Sequence, residues 1–366
     1  LRILFLIRAL SIGGAERQLA LVADGLAAKG HTVTVATFYN EAGITLHQAT
    51  HVVLHKQSRW DVWGFLKSLL TLIRQEKPDV LHGYLTVSNI LVCLLKLFSP
   101  RLRVVMGLRA SNMHWRTYGV LPAFLAWLEA KTSHLAHGII ANSQAGLAYA
   151  RQKGFKGSRL VCIENGIDTQ LFRPNLTTRE AFRASHGFGM QHQLIALVGR
   201  LDPMKGHRIF LEACSLLKHT IPGARFIIMG SGDTTYKKEL EVLAAQLALT
   251  DVLYFLPSQN PVPYSAFDVL CSPSLFGEGF PNVVAEAMSS GVPCVVTPVG
   301  DSPRIVGSCG LVVPVHDPHA LADGITQILN HYSNYADGCR PFIEANFSVE
   351  ALIHKTEAFL KGLTRA

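Results

Sequence analysis

The sequence predicts an α/β protein built from two facing Rossmann-like domains, and three observations carry that prediction. Short apolar runs alternate with segments of helical period along the whole chain, the pattern of parallel strands joined by crossover helices. At 366 residues the chain exceeds what one hydrophobic core normally holds, so two domains of about 150 to 200 residues are expected. Hydrophobic residues make up 49% of it and charged residues 16%, which excludes disorder and favours sheets covered on both faces.

Taken in order, strands are expected at 2–7, 32–38, 51–54, 79–81, 102–106, 138–141 and 160–163. The helix beginning at Ala15 places Leu19, Val22, Ala23 and Leu26 on one stripe, and Gly30 stops it. From Phe172 to Gln193 the pattern dissolves into polar residues around Pro174, which reads as a linker. A second set follows, with strands near 194–198, 225–229, 252–256, 268–271, 294–297 and 311–313 and helices near 206–219, 236–248, 282–290 and 318–331. Val349–Leu360 has helical spacing and no strand after it, so it caps the assembly or crosses back to the first domain. The expected division is 1–173, 174–345 and a terminal helix in 346–366.

Charge is uneven: residues 1–180 carry 21 Lys/Arg against 10 Asp/Glu, and the remainder 13 against 16. A basic half of this kind suits a phosphorylated substrate, an anionic bilayer or nucleic acid, and charge alone does not choose among them. The seven cysteines are scattered in apolar runs without Cys-x-x-Cys spacing, as expected of free, buried, cytosolic thiols. Leu1–Ile7 is too short for a signal-peptide core and reads as a strand. Asn89–Leu95 and Val120–Leu128 fall short of the roughly 20 residues of a membrane span, so membrane contact is expected to be peripheral.

Three segments carry candidate chemistry. In Ser11-Ile12-Gly13-Gly14-Ala15-Glu16 the first strand turns through paired glycines into a helix whose amides can meet an anion. It lacks the third glycine and the acidic residue of a dinucleotide fingerprint, which disfavours NAD; tight strand-to-helix packing is the competing explanation. Gly199-Arg200-Leu-Asp-Pro-Met-Lys205-Gly206 follows the second domain's first strand, and its two cations can grip a diphosphate from two directions. The third is Glu278-Gly279-Phe280-Pro281-Asn282-Val283-Val-Ala-Glu286, with Gly291 and Pro293 marking the end of a helix. Glu278 then sits on the loop before that helix and Glu286 about one turn into it, able to chelate vicinal hydroxyls, while amides at 280–283 point at phosphate.

Gly13-Gly14-Ala15-Glu16, Asn142-Ser143, Glu164-Asn165-Gly166-Ile167-Asp168, Gly199-Arg200 with Lys205-Gly206, and the Glu278/Glu286 pair together resemble family-4 retaining glycosyltransferases over essentially the whole chain. The resemblance implies the GT-B fold, with the donor held by the C-terminal domain and the acceptor by the N-terminal one. It assigns Arg200 and Lys205 to the donor diphosphate, Glu286 to ribose and Glu278 to the transferred sugar. Gly199, Gly230, Gly279, Phe280, Pro281, Asn282 and Val283 complete the expected donor site, and Gly13, Gly14 and Arg109 the acceptor site. No cofactor and no metal are expected: the chain contains no Asp-x-Asp and no His-x-x-x-His on a plausible helix.

Two departures stand out. Many relatives carry a histidine just after the strand corresponding to Val104–Met106, where this chain has Arg109. Arginine cannot act as a general base, so Arg109 is either structural or a ligand for an acceptor phosphate, with His82, His114 and His137 as nearby candidates for proton handling. The second is Leu256-Pro257 followed by Pro261 and Pro263, near the expected nucleobase. Lys56-Gln-Ser-Arg59-Trp60-Asp-Val-Trp63-Gly-Phe65-Leu-Lys67 interleaves cations with aromatics, as would a helix on an anionic membrane; packing of those rings in the core is the alternative.

The expected function is transfer of a hexose or N-acetylhexosamine from a nucleotide diphosphate sugar, a UDP-sugar by family analogy, to a lipid-linked or oligosaccharide acceptor in surface polysaccharide assembly. The expected location is the cytoplasm, at the inner face of the membrane, with no nucleic-acid partner. A nucleotide-sugar epimerase of the same fold and a non-catalytic carbohydrate- or nucleotide-binding subunit are the alternatives.

Overall fold

The computed structural model describes residues 1–364 except 12, 42, 59, 100, 110 and 112–118. Two compact units result, Leu1–Gly166 together with the segment from Val349 onward, and Ile167–Ser348.

In the first unit the chain runs β1 (Arg2–Ile7), α1 (Gly14–Ala28), β2 (Thr32–Thr37), β3 (Thr50–Val53), α2 (Trp63–Glu76), β4 (Val80–Tyr84), α3 (Thr86–Leu95), β5 (Arg103–Leu108), α4 (Val120–Thr132), β6 (Gly138–Ala141), α5 (Gln144–Gln152) and β7 (Leu160–Cys162). The seven strands form one parallel sheet in the order β3-β2-β1-β4-β5-β6-β7. Crossover helices cover both faces, so β1 and β4 are buried almost throughout, β1 as an unbroken apolar run and β4 with His82 enclosed within it. The last helix of the chain, α13 (Val349–Thr364), packs on α1. Leu352, Leu360 and Leu363 enter the same core as Leu19, Val22 and Leu26. Glu357 accepts from Lys29 and Lys361 and pairs with His31, which holds its carboxyl well below the usual range.

The segment Lys56–Lys67 divides. Phe65 enters the core with Leu69 and Leu72, one stripe of α2, whereas Trp60 and Trp63 are 79% and 85% exposed. Arg59 lies outside the described residues.

Glu129 of α4 is buried where α4 meets α3. It accepts from Asn89 Nδ2 at 2.6 Å, and the Asn89 amide also bonds both the N–H and the C=O of Gly107, each at 3.0 Å. Burial raises the Glu129 carboxyl from the ordinary 4.5 to about 7, against the opposing hydrogen bonds from Asn89 and Thr86. A raised acid pKa favours the folded state while the group is protonated, and that advantage is lost as pH rises from about 4.5 through about 7. Glu129→Gln keeps the acceptor oxygen and removes the titration. The variant is expected to flatten the fall of Tm across that window and to melt above the parent at pH 8; an unchanged Tm-versus-pH curve would refute the assignment.

The second unit contains α6 (Leu176–Ser185), β8 (Gln193–Val198), α7 (His207–Thr220), β9 (Ala224–Met229), α8 (Thr234–Gln246), β10 (Leu253–Leu256), β11 (Val269–Ser272), α9 (Asn282–Ser289), β12 (Cys294–Val296), α10 (Ser302–Val306), β13 (Gly310–Val312), α11 (Pro318–Asn330) and α12 (Tyr332–Asn346). Its six strands form a parallel sheet in the order β10-β9-β8-β11-β12-β13. The expected linker at 172–193 is instead part of this unit. Phe172 packs on Tyr264 in the core, and α6 turns Phe182 and Arg183 inward, Arg183 being neutralised by Asp268 at 2.7 Å. The chain enters the unit at Ile167, whose N–H bonds Phe347 C=O at 2.8 Å, so the boundary falls earlier than 173.

The seven cysteines are free, six of them buried and Cys162 half-buried. Among the described residues no helix is long and apolar enough to cross a membrane.

Candidate active site

Strand order reverses between β8 and β11 in the second sheet, so the loops leaving these two central strands diverge and open a crevice at their carboxyl ends. Both motifs expected to bind the donor lie on those loops. After β8, Arg200 is 63% exposed and donates to Asp202 Oδ2 at 3.0 Å. Asp202 also accepts from the Met204 N–H at 3.0 Å and so caps the single helical turn Pro203–Lys205. Gly206 ends that turn at φ +72°, and a Cβ there would sit 2.0 Å from Pro273 C=O, so only glycine lets the two loops approach. The Leu275 N–H to Met204 C=O bond, 2.7 Å, ties them together.

That approach brings Lys205 Nζ to 2.6 Å from Glu278 Oε1. Both side chains are largely buried, and Ser274 Oγ donates to the same oxygen at 2.7 Å. An ammonium and a carboxylate 73 residues apart in sequence are thus held at the end of the central strand pair. Gly199 and Gly230, at the ends of β8 and β9, meet still more closely: a Cβ on Gly230 would lie 1.8 Å from Gly199 C=O.

Glu286 is buried in α9 and accepts from Tyr264 OH at 2.8 Å. Pro281 precedes α9, whose N-terminus carries no side-chain cap, and the Val284 N–H turns back to Pro281 C=O at 3.1 Å. Phe280 is 5% exposed and packs edge-on against Phe347 with centroids 5.2 Å apart. The Phe280 ring is therefore committed to the core, which explains the apolar character of Phe-Pro-Asn-Val-Val. His207 opens α7 just beyond Lys205, but burial lowers its pKa to about 4 and keeps it neutral.

Three partners were not legible as site residues: Asp202 as the cap that shapes the cation loop, Ser274 as the second donor to Glu278, and Tyr264 as the support for Glu286. Tyr264 follows Pro261 and Pro263, the segment that departs from relatives, and that departure was the available signal.

In the first unit the order reverses between β1 and β4. Gly13 is the extended residue before α1 and Gly14 its first residue. Arg109 leaves the end of β5 and lays its guanidinium 4.1 Å over the Tyr84 ring, with Nη1 3.5 Å from Asn165 Oδ1. Among the described residues its Nε is enclosed without a hydrogen-bond partner, and no ion pair joins it to a carboxylate. Asn142 Oδ1 at the end of β6 is likewise enclosed and unpartnered among the described residues.

Of the three candidate histidines, His82 and His137 are described, and burial lowers the pKa of each. His82 lies within β4, fully enclosed between Phe5 and Tyr84, and burial with the neighbouring Arg109 lowers its pKa well below 6.5. His137 precedes β6, at the amino end of the sheet. Its Nδ1 accepts from the Val104 N–H at 3.0 Å, Lys96 contacts the ring, and burial lowers its pKa to about 4. His114 lies outside the described residues. Among the described residues no group of three or more His, Cys, Asp or Glu is placed to hold a metal ion.

Known proteins resemble this chain in both units. The family described as Glycosyltransferase Family 4 matches residues 12–171, and that described as Glycosyl transferases group 1 matches residues 192–331. The D-inositol 3-phosphate glycosyltransferase of Mycolicibacterium smegmatis is 33% identical over 218 residues, 57% of this chain and 48% of that protein. Its counterpart from Mycolicibacterium vanbaalenii is 31% identical over 255 residues, 64% and 52%. The chain thus spans about half the length of the curated relatives it matches. Among solved structures, HepE of Anabaena in complex with UDP and glucose superposes with a TM-score of 0.86 at 22% identity, covering 98% of this chain and 99% of that one. Sucrose-phosphate synthase from Thermosynechococcus elongatus does so with 0.86 at 21% identity, covering 99% and 98%. These likenesses show the fold, two parallel sheets flanked by helices in the GT-B manner. With one family matching each half and the paired loops of β8 and β11 in place, the chain belongs to the family-4, group 1 glycosyltransferases.

Proposed function

We propose that the chain is a retaining, metal-independent glycosyltransferase. It takes a hexose or N-acetylhexosamine from a nucleotide diphosphate sugar, with UDP as the nucleotide, and passes it to a lipid-linked or oligosaccharide acceptor in surface glycan synthesis at the inner face of the membrane. The observation that carries this reading is Lys205 Nζ held 2.6 Å from Glu278 Oε1 at the end of β8 and β11. Breaking the bond between the anomeric carbon and the diphosphate oxygen delivers an electron pair to the diphosphate. Lys205, Arg200 and the amides at the start of α9 offset the charge that builds there, an interaction stronger in the transition state than before it. Glu278 then orients the departing sugar, Glu286 chelates the ribose hydroxyls, and the acceptor oxygen bonds the anomeric carbon on the face the diphosphate leaves while its hydroxyl proton passes to the departing diphosphate oxygen, which has taken the electron pair. UDP as the nucleotide is supported by the HepE structure, whose bound ligands are UDP and glucose.

On the acceptor side, Gly13, Gly14 and Arg109 are the binding groups. A guanidinium without a carboxylate partner suits a phosphorylated acceptor, and the relatives named for D-inositol 3-phosphate favour the same chemistry. Peripheral contact with an anionic membrane is supported by the exposure of Trp60 and Trp63.

The test is a panel of UDP-, GDP- and ADP-sugars scored for donor hydrolysis and for transfer to inositol phosphate and to a membrane lipid extract. Arg200→Ala and Lys205→Ala serve as controls. Transfer from UDP-sugars that both variants lose supports the reading; variants as active as the parent overturn it. Tyr264→Phe supplies a sharper check. Loss of a hydrogen bond to a carboxylate is worth about 1.5 to 3 kcal/mol, so the variant is expected to raise the donor KM about tenfold with kcat within about twofold. A fall in kcat at unchanged KM would move Glu286 from ribose to the reacting sugar.

A further inference from the structure

We propose that Gln18 and Asn89 are positioning residues for acceptor binding: two buried carboxamides that hold Arg109 in the posture in which its guanidinium meets an anionic acceptor. The inference rests on the reading of Arg109 as an acceptor-binding group and adds the residues that act through it.

Asn89 is fully enclosed and Gln18 is 3% exposed. Each commits its amide to both polar groups of a single glycine. Gln18 Oε1 accepts from the Gly166 N–H at 2.9 Å, and Gln18 Nε2 donates to the Gly166 C=O at 2.7 Å. Asn89 makes the same pair of bonds to Gly107, each at 3.0 Å, and its Nδ2 also donates to Glu129. The Gly107 N–H and the Glu129 oxygen thus fix opposite ends of the Asn89 amide. A carboxamide carries one donor beside one acceptor, so it pairs with a peptide group as a neighbouring strand would. Both amides are enclosed, where an unmade bond is costly, and each glycine is therefore held to one position.

The two glycines flank one contact. Arg109, two residues beyond Gly107, places Nη1 3.5 Å from Oδ1 of Asn165, the residue before Gly166. Gly107 is in register with Tyr84, whose ring centroid lies 4.1 Å from the guanidinium carbon of Arg109. A Cβ on Gly107 would sit 2.9 Å from Gly83 C=O and 3.4 Å from the Tyr84 ring, so the clamped backbone lies directly against the surface on which the guanidinium rests. Tyr84 and Asn165 orient the guanidinium, and Asn89 and Gln18 set the backbone on either side of it. Gln18 adds a second link, because it belongs to α1, the helix that opens at Gly13 and Gly14. One buried amide therefore ties the glycine turn to the segment carrying Asn165. A guanidinium fixed before the anion arrives loses less freedom on binding, and affinity rises accordingly.

The experiment compares the full chain with Gln18→Met, Gln18→Glu, Asn89→Leu and Arg109→Ala, with circular dichroism as the folding control. Calorimetry measures the binding of inositol phosphate, inorganic phosphate and UDP. The parent is expected to bind at least one of the two phosphates and Arg109→Ala to bind it more weakly. Gln18→Met and Asn89→Leu are expected to weaken that binding about ten- to a hundredfold, with UDP binding within about twofold of the parent. Gln18→Glu keeps the acceptor for the Gly166 N–H and is expected to fall between Gln18→Met and the parent. In arginine-labelled protein, the Nε–Hε resonance of Arg109, identified by its loss in Arg109→Ala, is expected at high field over the Tyr84 ring and to move downfield in Gln18→Met and Asn89→Leu. A purely structural role lowers the melting temperature without moving that resonance, so an unmoved resonance overturns the proposal. UDP binding weakened as much as phosphate binding overturns it as well. Phosphate binding that falls in Arg109→Ala but is parent-like in Gln18→Met and Asn89→Leu overturns this inference alone. Parent-like binding by Arg109→Ala, or no binding of either phosphate by the parent, overturns it together with the acceptor reading of Arg109. Should Asn89→Leu misfold, the Gln18 variants decide, and failure of these to fold as well makes the clamps structural and overturns the proposal.

Discussion

Lys205→Ala is expected to lower kcat by about two to three orders of magnitude, the range seen when one fixed donor to developing negative charge is removed. Lys205 has two roles in the geometry, and they predict different double variants. It neutralises Glu278, whose Oε1 is 2.6 Å away, and in the proposed reaction it would meet the departing diphosphate. If neutralisation were its whole purpose, Glu278→Gln would remove the need for it, and Lys205→Ala/Glu278→Gln would regain activity. If Lys205 acts on the leaving group, the double variant stays at or below Lys205→Ala. The second outcome is expected, because the ammonium is the most enclosed cation on the loop and Ser274 already bonds Glu278. Recovery of the double variant to within about threefold of the parent would remove Lys205 from the chemistry. Lys205→Arg should not restore the rate, since a planar fork does not fit where a compact ammonium is held between two loops.

The largest expected effect on stability is at Asp268. Its carboxylate receives Arg179 at 2.6 Å, Arg183 at 2.7 Å and the Leu194 N–H at 2.6 Å. The Arg183 side chain is 1% exposed, and its remaining donors reach Ala266, Gly189 and His192 carbonyls. Burial lowers the Arg183 pKa and Asp268 opposes that shift. Asp268→Ala leaves a buried guanidinium with carbonyl partners only, at a cost of about 3 to 5 kcal/mol. The expected result is a large fall in the melting temperature of the second unit. Asp268→Ala/Arg183→Met is expected to be less destabilised than Asp268→Ala, because an apolar side chain of similar volume tolerates the site without a counter-charge. A melting temperature for Asp268→Ala within about 2 °C of the parent, a shift of about 0.5 to 1 kcal/mol, would show that the carbonyls suffice.

The thirteen strands were legible because each lies in a parallel sheet covered on both faces, so burial writes a contiguous apolar run into the sequence. The helix of the Glu278/Glu286 segment was equally legible, since Pro281 and Gly291 punctuate it within a residue or two of its ends. In the second unit three helices escaped. α6 hides its inward face behind Arg183, a residue whose type argues for solvent; α10 has only five residues; α12 carries Pro341 and few apolar side chains.

Local patterning by itself determined the α/β class, the two sheets and the positions of Arg200, Lys205, Glu278 and Glu286 on loops and a helix start. These depend on period, caps and turns, which are properties of neighbouring residues. Only the tertiary structure decided that Lys205 meets Glu278, that Tyr264 supports Glu286, that Arg183 is buried and that Trp60 and Trp63 are not. Those contacts join residues 22 to 85 positions apart or depend on which face of a helix finds a neighbour. Sequence spacing carries no information about either until the strands have chosen their order in the sheet.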